Sequence, residues 1–598
     1  MNHRPPYKLP ALTADTLPAI MAERLAACRP SATSIPALWQ GLLEMDVPLP
    51  TGRMRTAKLY IPEQTPQCTS FVLLNIPEGQ DALSFLFESG WIACADQHQL
   101  PIFAAEPLPG GWDSPATEQA YIEACAAALF AGRYVRAGMS CYLVGYGSIG
   151  QYLHQYLLNT PLRVAAAVFL NASQLPEHSV FDAEGASLDG NGMTFDIPKR
   201  DIPVPVWIFE DSLTPAAENV LRHWRDAICA GDPFPDSMLG TVYPQGRNSI
   251  CTPAGPIARL CVRKGGQMPS VPEICSFLLG YSRYHKFGPY GNSLVPRVDF
   301  SRKGVTVRRY PAPDGSLREC LIYAPGGVPG KIPMVFAIHG FSESVRNYFE
   351  ESLWYLAAEE YGFLLVMPET TLYPVPEELS AGVPMAHRPR WPSCLGTGGD
   401  TGDLTYLHTV MERVITEYPV DESRIYFTGH SNGCMMTNLF CSSPLGSRIA
   451  AAAATSGGMQ VWDSTGQEQI PVYFTMGEYD LWPYALQEET VQTHCIDRWL
   501  IRNGLADSES ARQVRINGAS AIFCDGRHHC TQWADKDGIP MVCYDWIEKK
   551  DHMNTPEENR RFWEKWFCKW SLDENGHRRY TGTPIRPQGA GDSAQPNA

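Results

Sequence analysis

The sequence predicts an α/β protein with two tandem domains, each built on a mostly parallel sheet with helices on both faces. The chain has 598 residues, which is more than one hydrophobic core usually organises. Short apolar runs alternate with helical patterns in both halves, as is typical of parallel sheets. The order of these elements in the first half matches that in the second, which indicates an internal duplication.

The second half shows this order most clearly. Residues 305–309 alternate like a strand, and after a turn residues 319–323 predict a second strand. The segment Met334-Val-Phe-Ala-Ile is a continuous apolar run, as expected of a buried parallel strand. A helical pattern then ends at Gly362, and residues 363–367 predict the next buried strand.

The first half repeats the same succession. It predicts a strand at residues 57–61, a buried run at 71–76, a helix that ends at Gly90 and a further strand at 91–95. These patterns define two domains. The Pro-rich N-terminus, the polar C-terminus and a stretch with Gly and Pro between the halves define three further segments, which makes five in all. They are an N-terminal extension (1–36), a first domain (37–282), a linker (283–297), a second domain (298–572) and a disordered tail (573–598).

Composition limits the classes of partner. The net charge of −16 argues against nucleic acid, because phosphate binding needs basic patches. No run of 18 apolar residues predicts a membrane span, and no signal-like stretch follows the N-terminal residues. The 18 cysteines lack small-domain spacing and predict reduced, buried thiols. We therefore expect a cytoplasmic protein without membrane contacts, whose two domains pack against each other.

We expect no metal or other cofactor. The one cluster that suggests metal ligands is His528-His529-Cys530. Adjacent ligands on a short segment rarely suit tetrahedral geometry, and the sequence offers no CxxC or HExxH partner. We interpret this cluster as part of a polar loop.

The most informative motif is Gly429-His-Ser-Asn-Gly, which places Ser431 in a GxSxG pattern. A β-rich apolar run precedes it at 425–427 and a helical run follows at 434–440, which is the strand–turn–helix setting of a nucleophilic serine. Such a serine stands on a strained turn, so the residues two before and two after it must be small. The alternative is a glycine-rich turn with an inert serine.

A nucleophilic serine needs an acid and a base that follow it in the chain. Asp480 stands just after a predicted buried strand, where active sites of parallel sheets lie, and Glu478 is the nearby alternative. His552 lies between a strand-like run and a helix that starts at Thr555, so it can reach back over the edge of the sheet. Poorer candidates for the base, on a predicted helix, in an early loop or in the tail, are His494, His528, His529 and His577.

Two backbone N–H groups should stabilise the developing oxyanion. We expect one from Asn432, directly after the nucleophile, and the other from Phe341 in the loop His339-Gly340-Phe341-Ser342. We also expect substrate contacts from residues near the oxyanion loop, the nucleophile and the acid. These candidates are His339, His430, Trp391 and Trp482.

The second half resembles the polyhydroxybutyrate-depolymerase/feruloyl-esterase group of α/β-hydrolases. The residues that carry the resemblance are Ile338-His-Gly-Phe, the stretch from Tyr418 to Gly433, Gly477-Glu-Tyr-Asp, and His552 before Pro556. It covers less than half of the chain and implies tandem α/β-hydrolase domains. It also implies hydrolysis of hydroxyacyl, feruloyl, acetyl or related small esters, with Ser431 as nucleophile, Asp480 as acid and His552 as base. Many members of this group are secreted, whereas this sequence suggests no export.

The first half resembles a degenerate copy. Gly147 stands where the nucleophile belongs, Ser148 is one residue late, Ile76-Pro77 replaces the His-Gly of the oxyanion loop, and Gln267 falls about where the base belongs. We expect this domain to be non-catalytic; a shifted, active Ser148 is the alternative.

The sequence therefore predicts a serine esterase that acts on a small-molecule or oligomeric ester. One alternative is a serine peptidase of the prolyl-oligopeptidase type, but the first half lacks the blade-length periodicity of a β-propeller. The other alternative is a non-catalytic binding protein.

Overall fold

The computed structural model describes residues 41–62, 65, 69–130, 137–172, 175, 185–190, 193–198, 202–249, 251–284, 293–326, 330–374, 387–395 and 402–580. The chain forms two compact units. The first takes in Met1–His285, Asn292–Arg297 and Pro374–His387, and the second takes in Lys286–Gly291, Val298–Tyr373 and Arg388–Ala598. Apart from the start of the tail, the segment boundaries given above stay predictions, and the N-terminal extension lies outside the described residues.

Each unit contains one large sheet and short hairpins. The strands of the first unit are β1 Gly41–Pro48, β2 Met54–Ile61, β3 Thr69–Asn75, β4 Ile102–Ala105, β5 Ala137–Tyr146, β6 Val164–Leu170, β7 Gly185–Gly190, β8 Met193–Pro198, β9 Val206–Glu210, β10 Phe234–Asp236, β11 Gly240–Pro244, β12 Arg259–Lys264, β13 Tyr281–Arg283 and β14 Leu294–Pro296. The strands that follow are β15 Thr306–Pro311, β16 Leu317–Tyr323, β17 Ile332–Ile338, β18 Leu364–Pro368, β19 Thr371–Pro374, β20 His387–Arg390, β21 Val420–His430, β22 Ala451–Thr455, β23 Val472–Tyr479, β24 Ala521–Asp525, β25 His528–Ala534, β26 Pro540–Asp551, β27 Trp570–Leu572 and β28 Arg578–Tyr580.

Helices connect these strands. In the first unit they are α1 Ala82–Glu88, α2 Trp91–His98, α3 Pro115–Phe130, α4 Gly150–Asn159, α5 Pro215–Ala227 and α6 Val271–Leu278. In the second they are α7 Phe300–Lys303, α8 Val345–Ser352, α9 Trp354–Tyr361, α10 Asp403–Glu417, α11 Asn432–Ser442, α12 Val491–Arg502, α13 Ala511–Asn517 and α14 Pro556–Arg561. None of the helices in the described ranges combines the length and apolar composition that crossing a membrane requires.

The two large sheets have the same topology. The first follows the order β1-β2-β4-β3-β5-β6-β9-β12-β11-β10 and the second the order β15-β16-β18-β17-β21-β22-β23-β26-β25-β24. In the second sheet the six strands from β18 to β26 run parallel, and antiparallel strands flank them on both sides. The predicted architecture, two tandem α/β domains with mostly parallel sheets, is confirmed.

The central strands are buried because their sequences are almost entirely apolar. Every residue of β17, β18 and β22 is buried, as expected of parallel strands covered on both faces. Each unit has its own large hydrophobic core. The ends of these strands therefore present side chains from a rigid base.

The strand predicted at residues 91–95 is wrong. The segment belongs to helix α2 (Trp91–His98), and the residues that flank this helix, Gly90 and Gln99, both have the left-handed conformation. The next strand, β4, begins only at Ile102. The apolar residues are spaced for one face of a helix, and a short apolar run does not distinguish a buried helix from a buried strand.

The predicted start of the tail at residue 573 is also wrong. Strand β28 pairs with β27, joined by a turn that Gly576 completes with a φ of 81°. The Arg578 guanidinium donates hydrogen bonds to the carbonyl oxygens of Gly446 and Ile449, both at 2.8 Å. The polar composition of this hairpin concealed it. Residues 581–598 lie outside the described part.

The expectation that all cysteines are reduced is wrong as well. Helices α2 and α6 pack side by side, and their residues Cys94 and Cys275 form a disulfide. Disulfides are uncommon in reducing compartments, so this bond gives no support to a cytoplasmic location.

We predict that the β27–β28 hairpin stabilises the second unit through Arg578. The Arg578 side chain is 8% exposed, whereas that of the neighbouring Arg579 is 67% exposed. Substituting Arg578→Ala leaves buried carbonyl groups unsatisfied and should lower the free energy of unfolding by about 1–3 kcal/mol. Arg579→Ala, the matched control, should change it by less than about 0.5 kcal/mol. Equal denaturation midpoints for the two variants would contradict this assignment.

Candidate active site

Ser431 occupies a strained turn between β21 and α11. Its φ of 55° and ψ of −114° are unfavourable for a residue with a side chain. The turn is held because the Ser431 amide donates a 3.0 Å hydrogen bond to the Thr455 carbonyl at the end of the adjacent strand. The hydroxyl is thereby fixed at the first turn of a helix, whose N-terminus favours negative charge.

The two glycines of the motif are required sterically. A Cβ atom at Gly429 would lie 2.3 Å from the carbonyl oxygen of Gly433. A Cβ atom at Gly433 would lie 2.0 Å from the carbonyl oxygen of Ile338 and 2.6 Å from that of His339. Helix α11 therefore starts in direct backbone contact with β17, and the two small residues that the motif requires are explained by these contacts.

The structure brings Ser431, His552 and Asp480 together. The His552 Nε2 atom lies 2.8 Å from Ser431 Oγ, across 121 residues of sequence, and its Nδ1 atom lies 2.7 Å from Asp480 Oδ1, across 72 residues. A carboxylate only accepts hydrogen bonds, so Nδ1 carries the proton and Nε2 is left to accept from the serine hydroxyl. All three side chains are largely buried.

The parallel sheet explains why these distant residues meet. Ser431 follows β21, Asp480 follows β23 and His552 follows β26, and these strands are parallel members of one sheet. The carboxyl ends of parallel strands lie at the same edge. Thr555 caps helix α14 just after His552 through a reciprocal pair of hydrogen bonds with Glu558, which fixes where the histidine loop ends.

The surroundings of Asp480 keep it ionised. Burial alone would raise the pKa of Asp480, but the His552 imidazole, Lys550 and the Ser456 hydroxyl together hold that pKa well below its ordinary value. An ionised Asp480 stabilises the imidazole in the orientation and tautomer just described.

The predicted oxyanion loop is held in place from several sides. The Gly340 amide donates to Glu343 Oε2 at 2.7 Å, and the Ser342 amide donates to the Pro389 carbonyl at 2.8 Å. Phe341, which lies between them, is partly exposed. The backbone N–H of Asn432 belongs to the first residue of α11, whereas its buried side chain serves a structural role.

The Asn432 side chain forms hydrogen bonds that fix the position of the segment at Trp391. Asn432 Oδ1 accepts from the Trp391 amide at 2.7 Å, and Asn432 Nδ2 donates to the Trp391 carbonyl and to Cys394 Sγ. The Trp391 indole in turn donates to the His339 carbonyl at 3.0 Å. These contacts connect the oxyanion loop to the start of α11.

Three of the four predicted substrate contacts have buried side chains, and their contact with a substrate stays a prediction. His339 and Trp391 are fully buried, and His339 Nε2 lies 2.9 Å from a carboxylate oxygen of Glu369. His430 is buried too, with its ring 4.8 Å from that of His552 and its Nδ1 atom 3.4 Å from Glu343. In this structure these three side chains pack beneath the candidate site and contact its loops.

Trp482 is placed differently. Its side chain is half-exposed, and its ring stands perpendicular to the His552 imidazole with the centroids 5.5 Å apart. An exposed aromatic ring beside a buried histidine is a suitable surface for part of a ligand. Contact with a substrate stays a prediction for Trp482.

The other candidates for acid and base lie elsewhere. The carboxylate of Glu478 accepts a hydrogen bond from the Lys549 amide, and His494 lies on helix α12 as predicted. His528 and His529 belong to strand β25 rather than to a loop, and His528 is buried between Asp545 and Glu557. Buried and partly exposed side chains alternate along much of β25, and the interpretation of the cluster as a polar loop was wrong.

Sequence reasoning missed three polar residues beneath the site. Thr455, Lys550 and Glu558 are buried and joined by hydrogen bonds. A lysine near the end of a strand and a glutamate in the first turn of a helix are usually solvated, so neither residue gave a signal.

The first unit retains the turn without the nucleophile. Gly147 has a φ of 60°, and its amide donates to the Leu170 carbonyl just as Ser431 donates to Thr455. Pro77 stands at the position of Gly340 in the oxyanion loop and lacks the N–H group that Gly340 has there. Gln267 is exposed. These features agree with the degenerate copy expected from the sequence, whose lack of activity stays a prediction.

Comparison with known proteins identifies esterases as relatives. No family model matches the chain. It is 24% identical over 303 residues to the bifunctional acetylxylan esterase/xylanase XynS20E of Neocallimastix patriciarum, covering 48% of this chain and 39% of that protein. It is 28% identical over 185 residues to a probable acetylxylan esterase A of Neosartorya fischeri, covering 29% and 47%. It is 27% identical over 164 residues to feruloyl esterase B of Talaromyces stipitatus, covering 27% and 42%.

The chain thus spans less than half the length of each of these curated relatives. Their names confirm the resemblance to an esterase-like group. Among solved structures, an acetyl xylan esterase from Aspergillus awamori aligns with 44% of this chain and 98% of its own, at 15% identity and a TM-score of 0.31.

We predict that Gly433→Ala disrupts the turn at Ser431. The added methyl group would overlap two backbone carbonyl oxygens, so helix α11 must move away from β17. The free energy of unfolding should fall by about 3 kcal/mol or more. Gly326→Ala is the matched control, because a Cβ atom there meets nothing within 4 Å. Equal stability of the two variants in thermal denaturation would show that α11 tolerates the shift.

Proposed function

We propose that the second unit is a serine esterase that cleaves carboxylic esters through an acyl-enzyme. The observation that carries this proposal is the pair of hydrogen bonds made by His552, to Ser431 Oγ at 2.8 Å and to Asp480 Oδ1 at 2.7 Å. A strained serine, a histidine and a buried acid in this geometry are the parts that acyl transfer needs.

In the first step, Ser431 Oγ attacks the ester carbonyl carbon while His552 Nε2 takes the hydroxyl proton. The carbonyl oxygen becomes an oxyanion, which accepts hydrogen bonds from the backbone N–H groups of Asn432 and Phe341. The positive end of helix α11 favours the same charge. Asp480 stays ionised and stabilises the imidazolium that forms.

The first tetrahedral intermediate then collapses: the bond from the carbonyl carbon to the alcohol oxygen breaks, His552 gives its proton to the departing alcohol, and the acyl group stays on Ser431. Water then enters, and His552 removes a proton from it as its oxygen attacks the acyl group on Ser431. The tetrahedral intermediate collapses, the acid leaves and Ser431 regains its proton from His552.

For the substrate we propose an acetyl, feruloyl or small hydroxyacyl ester, small or oligomeric. The curated relatives named as acetylxylan and feruloyl esterases support this class, although each match spans less than half of the relative. The exposed ring of Trp482 beside His552 suits the flat face of an aromatic acyl group or a sugar ring.

The alternatives differ in what they would need. A peptidase of the prolyl-oligopeptidase type would have a β-propeller beside its hydrolase domain, and the first unit here is a ten-stranded mixed sheet instead. A non-catalytic binding protein would not require a serine on a strained turn that is hydrogen-bonded to a histidine and, through it, to a buried acid. A cytoplasmic location and the absence of nucleic-acid and membrane partners stay predictions.

We predict that Ser431→Ala abolishes hydrolysis of a series of p-nitrophenyl esters. Without the nucleophile, kcat should fall by about 10⁴-fold or more. Ser148→Ala in the first unit is the matched control and should leave kcat unchanged. The initial rate of p-nitrophenol release, measured for acetyl, butyryl and feruloyl esters, provides the comparison.

Each other outcome has a distinct meaning. Loss of activity in Ser148→Ala alone would place the reaction in the first unit. Cleavage of peptides but not of esters by the wild-type protein would support a peptidase. Tight binding of an ester without turnover would support a binding protein.

We predict that Trp482→Ala weakens binding of aromatic esters more than it slows catalysis. Loss of the ring should remove about 1 kcal/mol of contact, which raises KM roughly fivefold for a feruloyl ester and less for an acetyl ester. Phe523→Ala is the control, because Phe523 is also exposed but lies on the edge strand β24. A KM unchanged for both esters would remove Trp482 from the binding site.

A further inference from the structure

A fully buried ion pair lies beneath the candidate active site. The side chains of Lys550 and Glu558 have no exposed surface, and Lys550 Nζ lies 3.4 Å from Glu558 Oε1. Burying two charges is costly, and such a pair often contributes no net stability compared with apolar residues. Stability alone therefore gives no reason for its position beside the site.

Lys550 reaches the interior because strand β26 is irregular at its end. The register between β23 and β26 shifts, so that Gly477 pairs with Ile547 but Tyr479 pairs with Asp551. Lys549 takes a left-handed φ of 52° at this bulge and is exposed, whereas Lys550 is buried. Bulges of this kind re-aim side chains next to active sites.

The close approach at this point depends on Gly477. A Cβ atom on Gly477 would lie 2.2 Å from the Lys550 carbonyl oxygen, so only glycine allows β26 to pass here. The same irregular segment carries His552 two residues later. The bulge thus sets the positions of the lysine and of the candidate base together.

The pair connects to the nucleophile through Thr455. Lys550 Nζ donates to Thr455 Oγ1 at 3.1 Å, and that hydroxyl donates to Glu558 Oε1 at 2.8 Å. The backbone carbonyl of the same Thr455 accepts the Ser431 amide. Both charges therefore hold the residue that fixes the strained turn.

The pair connects to the histidine loop through Glu558. Its Oε2 atom accepts hydrogen bonds from the Thr555 amide at 2.8 Å and from the Thr555 hydroxyl at 3.0 Å. Its Oε1 atom also accepts from the Thr475 hydroxyl on β23 at 2.5 Å. Glu558 thus joins the strand that leads to Asp480 with the cap that ends the loop of His552.

The pair connects to the acid through charge. Lys550 donates to the Ser456 hydroxyl at 2.9 Å, and both groups lower the pKa of Asp480 against the effect of its burial. The other titratable groups around Asp480 are His552 and the neutral side chains of Cys434, Tyr484 and Tyr544. Lys550 is thus a cation whose charge favours the ionised form of the buried Asp480 carboxylate.

We propose that Lys550 and Glu558 form a positioning pair for the active site, which aligns the Ser431 turn with the His552 loop through Thr455 and Thr555. This inference rests on the proposed function. It assigns to the pair no contact with substrate, and its effect is transmitted through Asp480, Thr455 and Thr555.

The test uses the full chain and the pH dependence of kcat/KM for p-nitrophenyl acetate. The acid limb of this profile reports the ionisation of the essential base in the free enzyme. Lys550→Met removes the positive charge that helps to lower the pKa of Asp480. The acid limb should then move to higher pH by about 1 unit, with kcat lower by about tenfold or more and KM changed by less than about twofold.

The variant Glu558→Gln distinguishes the effect of the Lys550 charge from the effect of disturbing the buried hydrogen bonds. It disturbs the same buried network but keeps Lys550, so the acid limb should stay in place or move to lower pH even where kcat falls. Lys549→Met, the exposed neighbour on the same bulge, should match the wild-type profile. If Lys550→Met fails to fold, Lys550→Met/Glu558→Gln leaves no unpaired buried charge and should still move the acid limb upward, by no more than Lys550→Met alone.

Two results would overturn the inference. One is an acid limb at the wild-type pH in every variant without Lys550. The other is an equal upward shift in Glu558→Gln, which would indicate a merely structural role. Either result leaves Ser431-dependent hydrolysis intact, whereas failure of the proposed function itself would appear as undiminished activity in Ser431→Ala.

Discussion

The two hydrogen bonds of the His552 ring are the constraint on which the candidate site depends. They require a serine after one strand, an acid after a second and a histidine after a third to meet within 3 Å at one edge of the sheet. Parallel strands make this possible because their carboxyl ends coincide. The strained turn at Ser431, the bulge at the end of β26 and the cap of α14 can each be understood as a device that brings one of the three side chains into place.

The two units have the same architecture, but only the second has a serine at the left-handed position that follows strand β5 in one and β21 in the other. Both sheets have the same strand order, and both have a left-handed residue after the equivalent central strand, Gly147 in one and Ser431 in the other. A glycine adopts this conformation without strain, whereas a serine must be held there by its neighbours. In the second unit the supporting contacts are charged and buried, at Lys550 and Glu558 beneath the turn and at Glu343 below the oxyanion loop.

Much of the fold and the core of the site could be predicted from the sequence because the signals were local. Continuous apolar runs identify β17 and β18, and the glycines around Ser431 are dictated by contacts that leave no space for a Cβ atom. The order serine, acid, histidine then restricts Asp480 and His552 to loops after strands.

What could not be predicted depends on tertiary packing. Residues 91–95 are apolar enough for a strand but form a helix, and the polar hairpin at 570–580 has no apolar pattern. His339, Trp391 and His430 are adjacent to functional positions in sequence, yet their side chains point into the protein. No local pattern reveals that Lys550 is buried, since its burial results from a change of register between two strands.

The most direct test of the account is to trap the acyl-enzyme. The protein is mixed with p-nitrophenyl acetate, the reaction is quenched in acid within the first turnovers, and the digest is analysed by mass spectrometry. The account predicts an acetyl group on the Ser431 hydroxyl, formed in an initial burst of p-nitrophenol release. Steady release of p-nitrophenol with the acetyl group on another residue, or with no adduct and no burst even when deacylation is slowed at low pH, would contradict it.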